Sequence, residues 1–510
     1  MGNRVGARVT RAVAGPLALG ADPGPALFIA LTALRGPSNV PTLITSLAGF
    51  EAVFGGPTPY TDITRYSPGY EALKGFFSSG GRRAWVVRIV GSTAATAEMT
   101  LVDRAGSPLS TLKVKAKGEG VWIDDFTVVI ADGRRANTFK FTLQDALGDT
   151  LEVWDNLKMD SLSLARVNDG SMYVVLEDQG SATAAPTNLP AVASTQFDAP
   201  TTHGGATDNA PDAAAIVGTE NAGVKTGLKA FRAATLGYGF IIAPDMDTDV
   251  TVKAEIVAQS EAFYRFWLTC SEEGASVASA LTQRATIDAF NAAFYYPRPK
   301  VVDTASQEVK TISPVGHIAG RWTRAIADIS PGKAPAGRAF DLPGIYGLET
   351  QANGVPLVDE GVAETLLGSN INPIWDRDNS GPRVWGARAA SSDDAWNFAH
   401  AGYLWCLIAF SLQGLLDRVT YDIPDDLFFG QVESGMYDYM TTLHNARAFN
   451  GALPPLGETA DEDEDAFSVQ CDESLLQAGD VDSGNVRAKA WFRPARTAET
   501  ILIEVAKRNG

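Results

Sequence analysis

The sequence has 510 residues, of which 45% are hydrophobic, so it can bury a large core and is long enough for roughly two to four domains. Asp and Glu number 60 against 42 Lys and Arg, which gives a net charge of −18. This charge would repel a nucleic-acid backbone, and no local basic stripe overrides it.

Three widely spaced cysteines, Cys270, Cys406 and Cys471, each lie in or beside an apolar run. An odd number at such spacing argues against a disulfide framework or a zinc site. The pattern instead predicts buried free thiols in a reducing cytoplasm.

The first residues superficially resemble an export signal, because Arg4, Arg8 and Arg11 precede an apolar region. Prolines interrupt that region, and no later run is expected to approach the roughly 18 apolar residues that span a bilayer. We therefore expect a soluble protein without direct membrane insertion that is not exported by a cleaved signal.

Residues 5–13 alternate weakly between apolar and polar side chains, which predicts an N-terminal arm within residues 1–20. From residue 26 strand and helix patterns alternate, with predicted strands at 26–34 and 84–90 and predicted helices at 46–55 and 66–77. This alternation is typical of an α/β layer in which helices pack on a sheet.

Residues 93–180 contain short alternating runs separated by Gly, Asp and Ser turns, which predicts an inserted β-rich domain. The predicted strands are 99–102, 112–116, 126–130, 138–143, 151–154 and 172–176. Residues 181–212 are of low hydrophobicity and rich in Ala, Thr, Pro and Gly, so we expect a linker or exposed loop there.

The α/β pattern returns after residue 212, with predicted helices at 227–234 and 250–265 and predicted strands at 239–242 and 266–270. Two long helices are predicted at 394–419 and 425–449, the second with Arg447 in its last turn.

Residues 486–510 predict a strand, a break at a proline and a second alternating strand, together a C-terminal arm whose open edge invites pairing with another chain. The predicted fold is a multidomain α/β (α+β) chain with a discontinuous core, residues 21–92 and 213–485, and extended terminal arms.

No motif predicts a catalytic, cofactor-binding or metal-binding residue. In the stretch GTENAGVKT, Val224 separates the glycine from the lysine of a phosphate-binding loop. The histidines lack the spacing of a metalloprotease or hydrolase motif, and His317 is expected in a loop beside Gly316. Satisfied or solvated side chains are the better interpretation of all four: His203, His317, His400 and His444.

Two further stretches could bind a ligand. The acidic run at 461–465 lacks the glycine and the distal glutamate of a helix-loop-helix calcium site, so a solvated loop is favoured. Trp375 and Trp385 could form a sugar-binding platform, but core anchors beside a tight turn are the better interpretation. From the residues alone, a hydrolase with an unrecognised carboxylate pair and a carbohydrate-binding or adhesin module remain alternatives.

Six segments resemble, in the right order, the sheath proteins of contractile phage tails and of related phage-like injection systems. They are GPSNVPTLITSLAGFEAVFGG, GYEALKGFFSSGGRRAWVVRIVG, KAKGEGVWIDDFTVVI, SPVGHIAGRWTRAIADISPGKAPAGR, NINPIWDRDNSGPRVWGARAASSDD and FRPARTAETILIEV. Each motif is weak by itself, whereas six in order are specific. The opening MGNRVGARVTRAVAGP lacks the Pro-Gly-Val-Tyr strand with which the family usually begins.

The resemblance implies a structural protein rather than an enzyme, without cofactors, that forms stacked sixfold rings around an inner tube and contracts to drive the tube through a target envelope. Its implied partners are copies of itself, the inner tube protein, the baseplate and the tail-terminator or cap proteins, in a phage virion tail or a phage-like particle.

The resemblance also implies roles for particular residues. Arg447 is the candidate for contact with the tube. The implied inter-subunit arm residues are Ala498, Glu499, Ile501, Ile503, Val505, Val5 and Val9. The implied shape-determining turn residues are Gly332, Pro335, Gly337, Gly381 and Gly386.

Overall fold

The computed structural model describes residues 24–56, 68–91, 94–181, 183–197, 212–244, 246, 249–302, 307–377, 381–456, 461, 464–478, 480, 483–497 and 499. Within these residues the helices are α1 (Leu47–Phe54), α2 (Pro68–Ser78), α3 (Ser161–Gly170), α4 (Ala213–Val217), α5 (Val250–Ala262), α6 (Val277–Ala285), α7 (Val315–Asp328), α8 (Glu360–Gly368), α9 (Ala399–Leu416) and α10 (Asp426–Asn445).

The strands in the same part of the chain are β1 (Ala26–Leu31), β2 (Thr42–Ile44), β3 (Ala84–Arg88), β4 (Thr96–Val102), β5 (Ser110–Glu119), β6 (Thr127–Asp132), β7 (Phe139–Gln144), β8 (Thr150–Leu157), β9 (Val174–Asp178), β10 (Ala193–Gln196), β11 (Glu220–Asn221), β12 (Val224–Lys225), β13 (Gly239–Ile242), β14 (Arg265–Cys270), β15 (Ala292–Tyr296), β16 (Pro299–Val302), β17 (Val309–Thr311), β18 (Gly347–Leu348), β19 (Asn372–Trp375), β20 (Arg383–Val384), β21 (Phe467–Gln470) and β22 (Lys489–Phe492).

An eight-stranded sheet forms the centre of this mixed α/β fold, in the order β2-β3-β1-β13-β14-β15-β19-β20. Strands β3 to β19 of this order run parallel, and the edge strands β2 and β20 run antiparallel to their neighbours. Helices cover both faces of a parallel sheet, which explains why β1 is apolar throughout and fully buried. Its Leu27 and Ile29 enter one core, and its Phe28 enters the other.

Helix α9 lies in the core on one face of this sheet, where the rings of Tyr403 and Phe240 stack with centroids 5.5 Å apart. Among the described residues it is the one helix long and apolar enough to cross a membrane, with a mean hydropathy of 1.3, but 67% of it is buried inside the protein. The expectation that no such run exists was therefore wrong, and burial in a core accounts for the composition of this helix.

Two antiparallel sheets, β4-β5-β9 and β10-β6-β7-β8, occupy residues 96–196 and enclose a separate apolar core. Strand β10 pairs with β6 inside the stretch that was predicted as a linker. Its sequence, ASTQ, has no apolar alternation, so only the partner strand reveals it. Helix α3, capped by Asp160, was also missed in this region.

The fully buried Arg88, at the end of β3, ties this β-rich region to the central sheet. Its Nε donates to Ala33 O at 2.9 Å, and its Nη1 donates to Gly36 O at 3.1 Å. Its Nη2 donates to Glu119 O at 2.9 Å, across the boundary. The Glu119 carboxylate also accepts from Ser38 Oγ at 2.7 Å, so the buried charge is well satisfied by polar groups from both sides.

Helices α2 and α7 approach closely because glycines line their contact. A Cβ on Gly316 would lie 1.8 Å from Ala72 O, and a Cβ on Gly75 would lie 2.2 Å from His317 Nδ1. His317 therefore lies on a helix and not in the predicted loop, since glycine here serves close packing despite its low helix propensity. Burial, helped by the nearby Lys74 charge, lowers the pKa of His317 to about 4.

Two predicted helices have different bounds in the structure. Residues 227–234 hold a 3-10 turn, Gly227–Phe231, and the first residue of another, Ala234–Leu236. The helix predicted from residue 394 begins at Ala399, because Asp393 caps a separate 3-10 turn at Asp394–Trp396. Short 3-10 turns carry little periodicity, so the sequence pattern extends the neighbouring helix over them.

We expect Gly316→Ala to lower the free energy of unfolding by about 2–3 kcal/mol, because the new methyl group overlaps the α2 backbone. The matched control is Gly430→Ala on α10, where a Cβ meets no atom within 4 Å and should stabilise by up to about 1 kcal/mol. Chemical denaturation of both variants measures the difference. Equal stability of the two variants would contradict the proposed close contact.

Candidate functional site: the seat of the C-terminal segment

The last described residues, 493–497 and Glu499, lie against the core, and we call them the exit segment. Before them, β22 pairs antiparallel with β21. Arg493 N then donates to Ala466 O at 2.8 Å, and Ala495 N donates to Ala448 O at 3.0 Å. The chain is thus bonded to its own core through Ala495, within the stretch 486–510 that was predicted as an arm.

His400, at the start of α9, is hydrogen-bonded to the exit segment. Its Nε2 lies 2.8 Å from Ala495 O, and because that carbonyl only accepts, Nε2 carries the proton. The ring is 1% exposed. Burial lowers the pKa of His400 to about 4 and the Lys333 charge adds to this, while the bond to Ala495 O opposes it. A neutral imidazole therefore fastens the segment at neutral pH.

The turn that begins at Gly332 packs against Ala448, whose carbonyl accepts the hydrogen bond from the exit segment. A Cβ on Gly332 would lie 2.7 Å from the Cα of Ala448, so a larger residue would displace the backbone that bonds Ala495. The Lys333 ammonium donates to Ala334 O and Ala336 O, both at 3.1 Å, which closes the turn on itself.

Arg388 holds the end of the exit segment through an ion pair with Glu499. Its guanidinium lies 5.0 Å from the centre of the Phe398 ring. The Asn372 side chain accepts from Arg388 N at 2.6 Å and donates to Arg388 O at 2.8 Å, which fixes the backbone from which the arginine projects. A Cβ on Gly386 would lie 3.0 Å from the Cα of Asn372, so this glycine permits the close approach.

Among the predicted turn residues, Gly332 and Gly386 adjoin the residues that hold the exit segment. Gly337 N donates to Val384 O at 2.9 Å, which joins the turn after Gly332 to strand β20. Gly337 has φ +95° and Gly381 has φ +98°, values that favour glycine. Pro335, between Gly332 and Gly337 in sequence, is buried. Glu499 reaches the same site. The other arm residues lie outside the described residues: Val5, Val9, Ala498, Ile501, Ile503 and Val505.

Arg447 lies beyond the helix in which it was predicted. Helix α10 ends at Asn445, and Arg447 adopts φ +63°. Ala448 N donates to Leu443 O at 3.0 Å and Arg447 N donates to His444 O at 2.8 Å, the pattern of a left-handed helix end. That position usually holds glycine, so with an arginine there the sequence pattern did not indicate that the helix ends at Asn445. The Arg447 side chain is exposed.

Sequence reasoning missed Arg388, Asn372 and His400 as supports of this site. His400 was predicted to be a satisfied or solvated histidine; its Nε2 has a partner, which lies 95 residues away in the chain, while its Nδ1 is buried without one. No spacing rule connects residues at that distance, and only the fold brings them together.

The stretches with possible ligand chemistry have structural roles. Residues 220–225 form a two-stranded hairpin with positive φ at Ala222 and Gly223. The Arg377 guanidinium lies 5.6 Å from the centre of the Trp375 ring and 5.8 Å from that of the Trp385 ring. Both aromatic rings that were considered for sugar binding are therefore in contact with this arginine. The three cysteines are buried free thiols. Across the described part of the chain, no group of His, Cys, Asp or Glu is placed to hold a metal ion.

No protein-family model matches the sequence, and no curated protein matches it. Solved structures do match. The sheath tail protein of Listeria innocua matches with a TM-score of 0.60 and 14% identity, over 93% of this chain and 96% of that chain. A chain of the contracted helical sheath of the anti-feeding prophage matches with a TM-score of 0.54 and 16% identity, over 99% of this chain and 98% of that chain.

A third match is the contracted sheath complex of the PVC extracellular contractile injection system, with a TM-score of 0.54 and 15% identity, over 100% of this chain and 98% of that chain. The fold of this chain is therefore similar to that of these contractile sheath proteins. This chain has their fold along nearly its whole length, including both the central sheet and the β-rich region.

We expect Arg388→Ala to loosen the exit segment, because a partly exposed ion pair of this kind contributes about 0.5–1 kcal/mol. Trypsin cleavage after Arg496 should then become about two- to fivefold faster in the soluble chain. The matched control is Arg377→Ala, which removes an exposed pair with Glu360 elsewhere. If both variants are cleaved at the wild-type rate, Arg388 does not hold the segment.

The two buried histidines predict acid sensitivity. Their folded-state pKa of about 4 lies below the usual 6.5, so the unfolded chain takes up protons first as the pH falls. The free energy of unfolding should fall between pH 6.5 and 4, by at most about 3 kcal/mol per histidine, and then level off. In thermal unfolding, His400→Gln should lose less Tm than wild type over this range. If His400→Gln loses as much Tm as wild type between pH 6.5 and 4, His400 does not cause the acid sensitivity. The control is His444→Gln, which should lose as much Tm as wild type.

Proposed function

We propose that this chain is the structural subunit of a contractile sheath, which polymerises as stacked sixfold rings around an inner tube and contracts to drive that tube through a target cell envelope. The observation that carries the proposal is the full-length match to chains of contracted sheaths, since both this chain and theirs are almost completely covered. A shared enzyme module inside a larger structural protein would give partial coverage instead. The proposed role is mechanical and needs no cofactor.

The proposed joint between subunits is the segment after Glu499. The core bonds the main chain through Ala495 and holds Glu499 by Arg388. Residues 501–505, ILIEV, then alternate in the manner of a strand that can add to the sheet edge of a neighbouring copy. Identical subunits linked head to tail in this way form open helices rather than closed dimers. The proposed second arm is residues 5–13, with Val5 and Val9.

The proposed domain division follows the sheets. The core was predicted as residues 21–92 and 213–485, and its proposed end moves to residue 492 because β22 pairs with β21. The proposed end of the β-rich insertion moves from residue 180 to residue 197 because β10 pairs with β6. Arg88 supports the idea that core and insertion turn together as one body during contraction, because it bonds carbonyls on both sides of the boundary.

The proposed partners are copies of the same chain, the inner tube, the baseplate and the tail-terminator or cap proteins, in a particle assembled in the bacterial cytoplasm. Arg447 is proposed to face the tube because its side chain projects into solvent beyond α10. If the Arg447→Glu variant still co-assembles with the tube protein, Arg447 does not have this role.

Electron microscopy of the purified chain tests the proposed function. Wild type should form striated tubes or stacked rings, whereas a variant without residues 498–510 should stay a folded, dispersed monomer, because the connecting strand is lost. Circular dichroism and the unfolding temperature of the variant control for its folding. Ordered tubes from the truncated chain would contradict the proposed joint, and uniform compact particles from wild type would contradict the sheath function.

A further inference from the structure

Three asparagines in this chain are followed directly by glycine: Asn353, Asn450 and Asn509. In such a pair the glycine nitrogen can attack the preceding side-chain amide, because glycine carries no side chain that hinders the approach. Asn509 lies outside the described residues. Asn353 and Asn450 are both exposed, but their hydrogen bonds differ.

Asn353 is protected by hydrogen bonds within its own turn. Gly354 N donates to Gln351 O at 2.9 Å, and Asn353 Oδ1 accepts from Val355 N at 3.1 Å. The attacking nitrogen and the amide that it would attack are therefore both engaged. This turn must open before the two groups can react.

Asn450 lacks this protection. Within the described residues, Gly451 N donates no hydrogen bond and the Asn450 side chain forms none. Gly451 has φ +126°, and a Cβ there would lie 2.8 Å from Ala466 N, so the position requires glycine. The attacking nitrogen is therefore free, and no side chain at position 451 can shield it.

We propose that Asn450 is a site of spontaneous deamidation that loosens the exit segment. Gly451 N attacks Cγ of Asn450, so an N–Cγ bond forms while the Cγ–Nδ2 bond breaks. The attacking nitrogen loses its proton to water, and Nδ2 takes up a proton and leaves as ammonia. Water then opens the cyclic imide at Cγ, which gives an aspartyl residue, or at the main-chain carbonyl of residue 450, which gives an isoaspartyl residue.

Asn450 belongs to the main-chain ladder that holds the exit segment. Asn450 N donates to Arg493 O at 3.0 Å, next to the bond from Ala495 N to Ala448 O. Imide formation uses the side chain of Asn450 and the nitrogen of Gly451, so it does not require this ladder to open first. The reaction can therefore begin while the exit segment is still in place.

The main chain just after Asn450 is fixed as well. Ala452 N donates to Glu464 O and Ala466 N donates to Ala452 O, both at 2.8 Å. An isoaspartyl linkage adds a methylene group to the main chain before these bonds, where the close packing of Gly451 leaves no room for it. Either product also adds a negative charge beside the acidic run at 461–465, which Gly451 adjoins. We therefore expect the bond from Asn450 N to Arg493 O to be lost.

Peptide mapping by mass spectrometry tests the site. The purified full chain is kept at mildly alkaline pH in heavy-oxygen water, which labels every imide that opens during the incubation. In the folded chain, position 450 should convert about fivefold or more faster than position 353, because Asn353 reacts only after its turn opens. In urea, where neither turn exists, the two positions should convert at similar rates. Equal rates in the folded chain, or an unchanged Asn450 in the folded chain while both convert in urea, would overturn the inference.

Trypsin cleavage after Arg496 tests the effect on the exit segment. Wild type that has been converted at position 450 should release residues 497–510 about two- to tenfold faster than fresh wild type, because a main-chain hydrogen bond is lost. Asn450→Gln should not show this change on ageing, since its longer side chain would have to close a larger and less favourable ring. The matched control, Asn353→Gln, should age as wild type does.

Both measurements use the soluble chain, so this inference does not depend on the proposed sheath function. If ageing accelerates cleavage equally in Asn450→Gln, deamidation at this position does not loosen the exit segment. Cleavage of the converted wild type at the rate of the fresh protein would contradict the inference in the same way.

Discussion

The hold of the core on the exit segment is the constraint on which the rest of the account depends. Main-chain bonds from Arg493 and Ala495, the His400 imidazole and the Arg388 ion pair fix this segment to its own subunit. A strand that connects two subunits transmits force only if the residues before it stay bound to their own subunit. Main-chain hydrogen bonds in partly buried surroundings resist detachment better than isolated surface contacts do.

Helix α10 joins the residues that hold the exit segment to an exposed turn. This turn, residues 417–425, ends where α10 begins, and the backbone turn after α10 presents Ala448 to the exit segment. The 20 residues of α10 make a rod of about 30 Å, so the exposed turn and the exit segment lie at opposite ends of one rigid element. A displacement at one end therefore moves the other with it, which suits subunits that rotate as rigid bodies.

Sequence alone predicted the central layer well because burial on both faces leaves a strong signal. The strand at 239–242 was predicted with the bounds that the structure gives, and β1 was recognised from its continuous apolar run. The polar strand β10 was not predicted, because its pairing with a distant strand leaves no local periodicity. The helical position of His317 was not predicted either, because close packing against a glycine leaves none. The contacts that hold the exit segment were not predicted: the glycines were predicted only as turns and Glu499 only as a residue of an arm between subunits, while Arg388 and His400 depend on contacts across the fold.

A cryo-EM reconstruction of the assembled chain tests the central claim most directly, because it traces the main chain beyond Glu499. We predict that residues 489–497 and Glu499 keep their contacts with their own core, while residues 501–505 form a strand bonded to a neighbouring copy. Density in which residues 501–505 fold back onto their own subunit, or in which adjacent subunits share no main-chain hydrogen bonds, would contradict it.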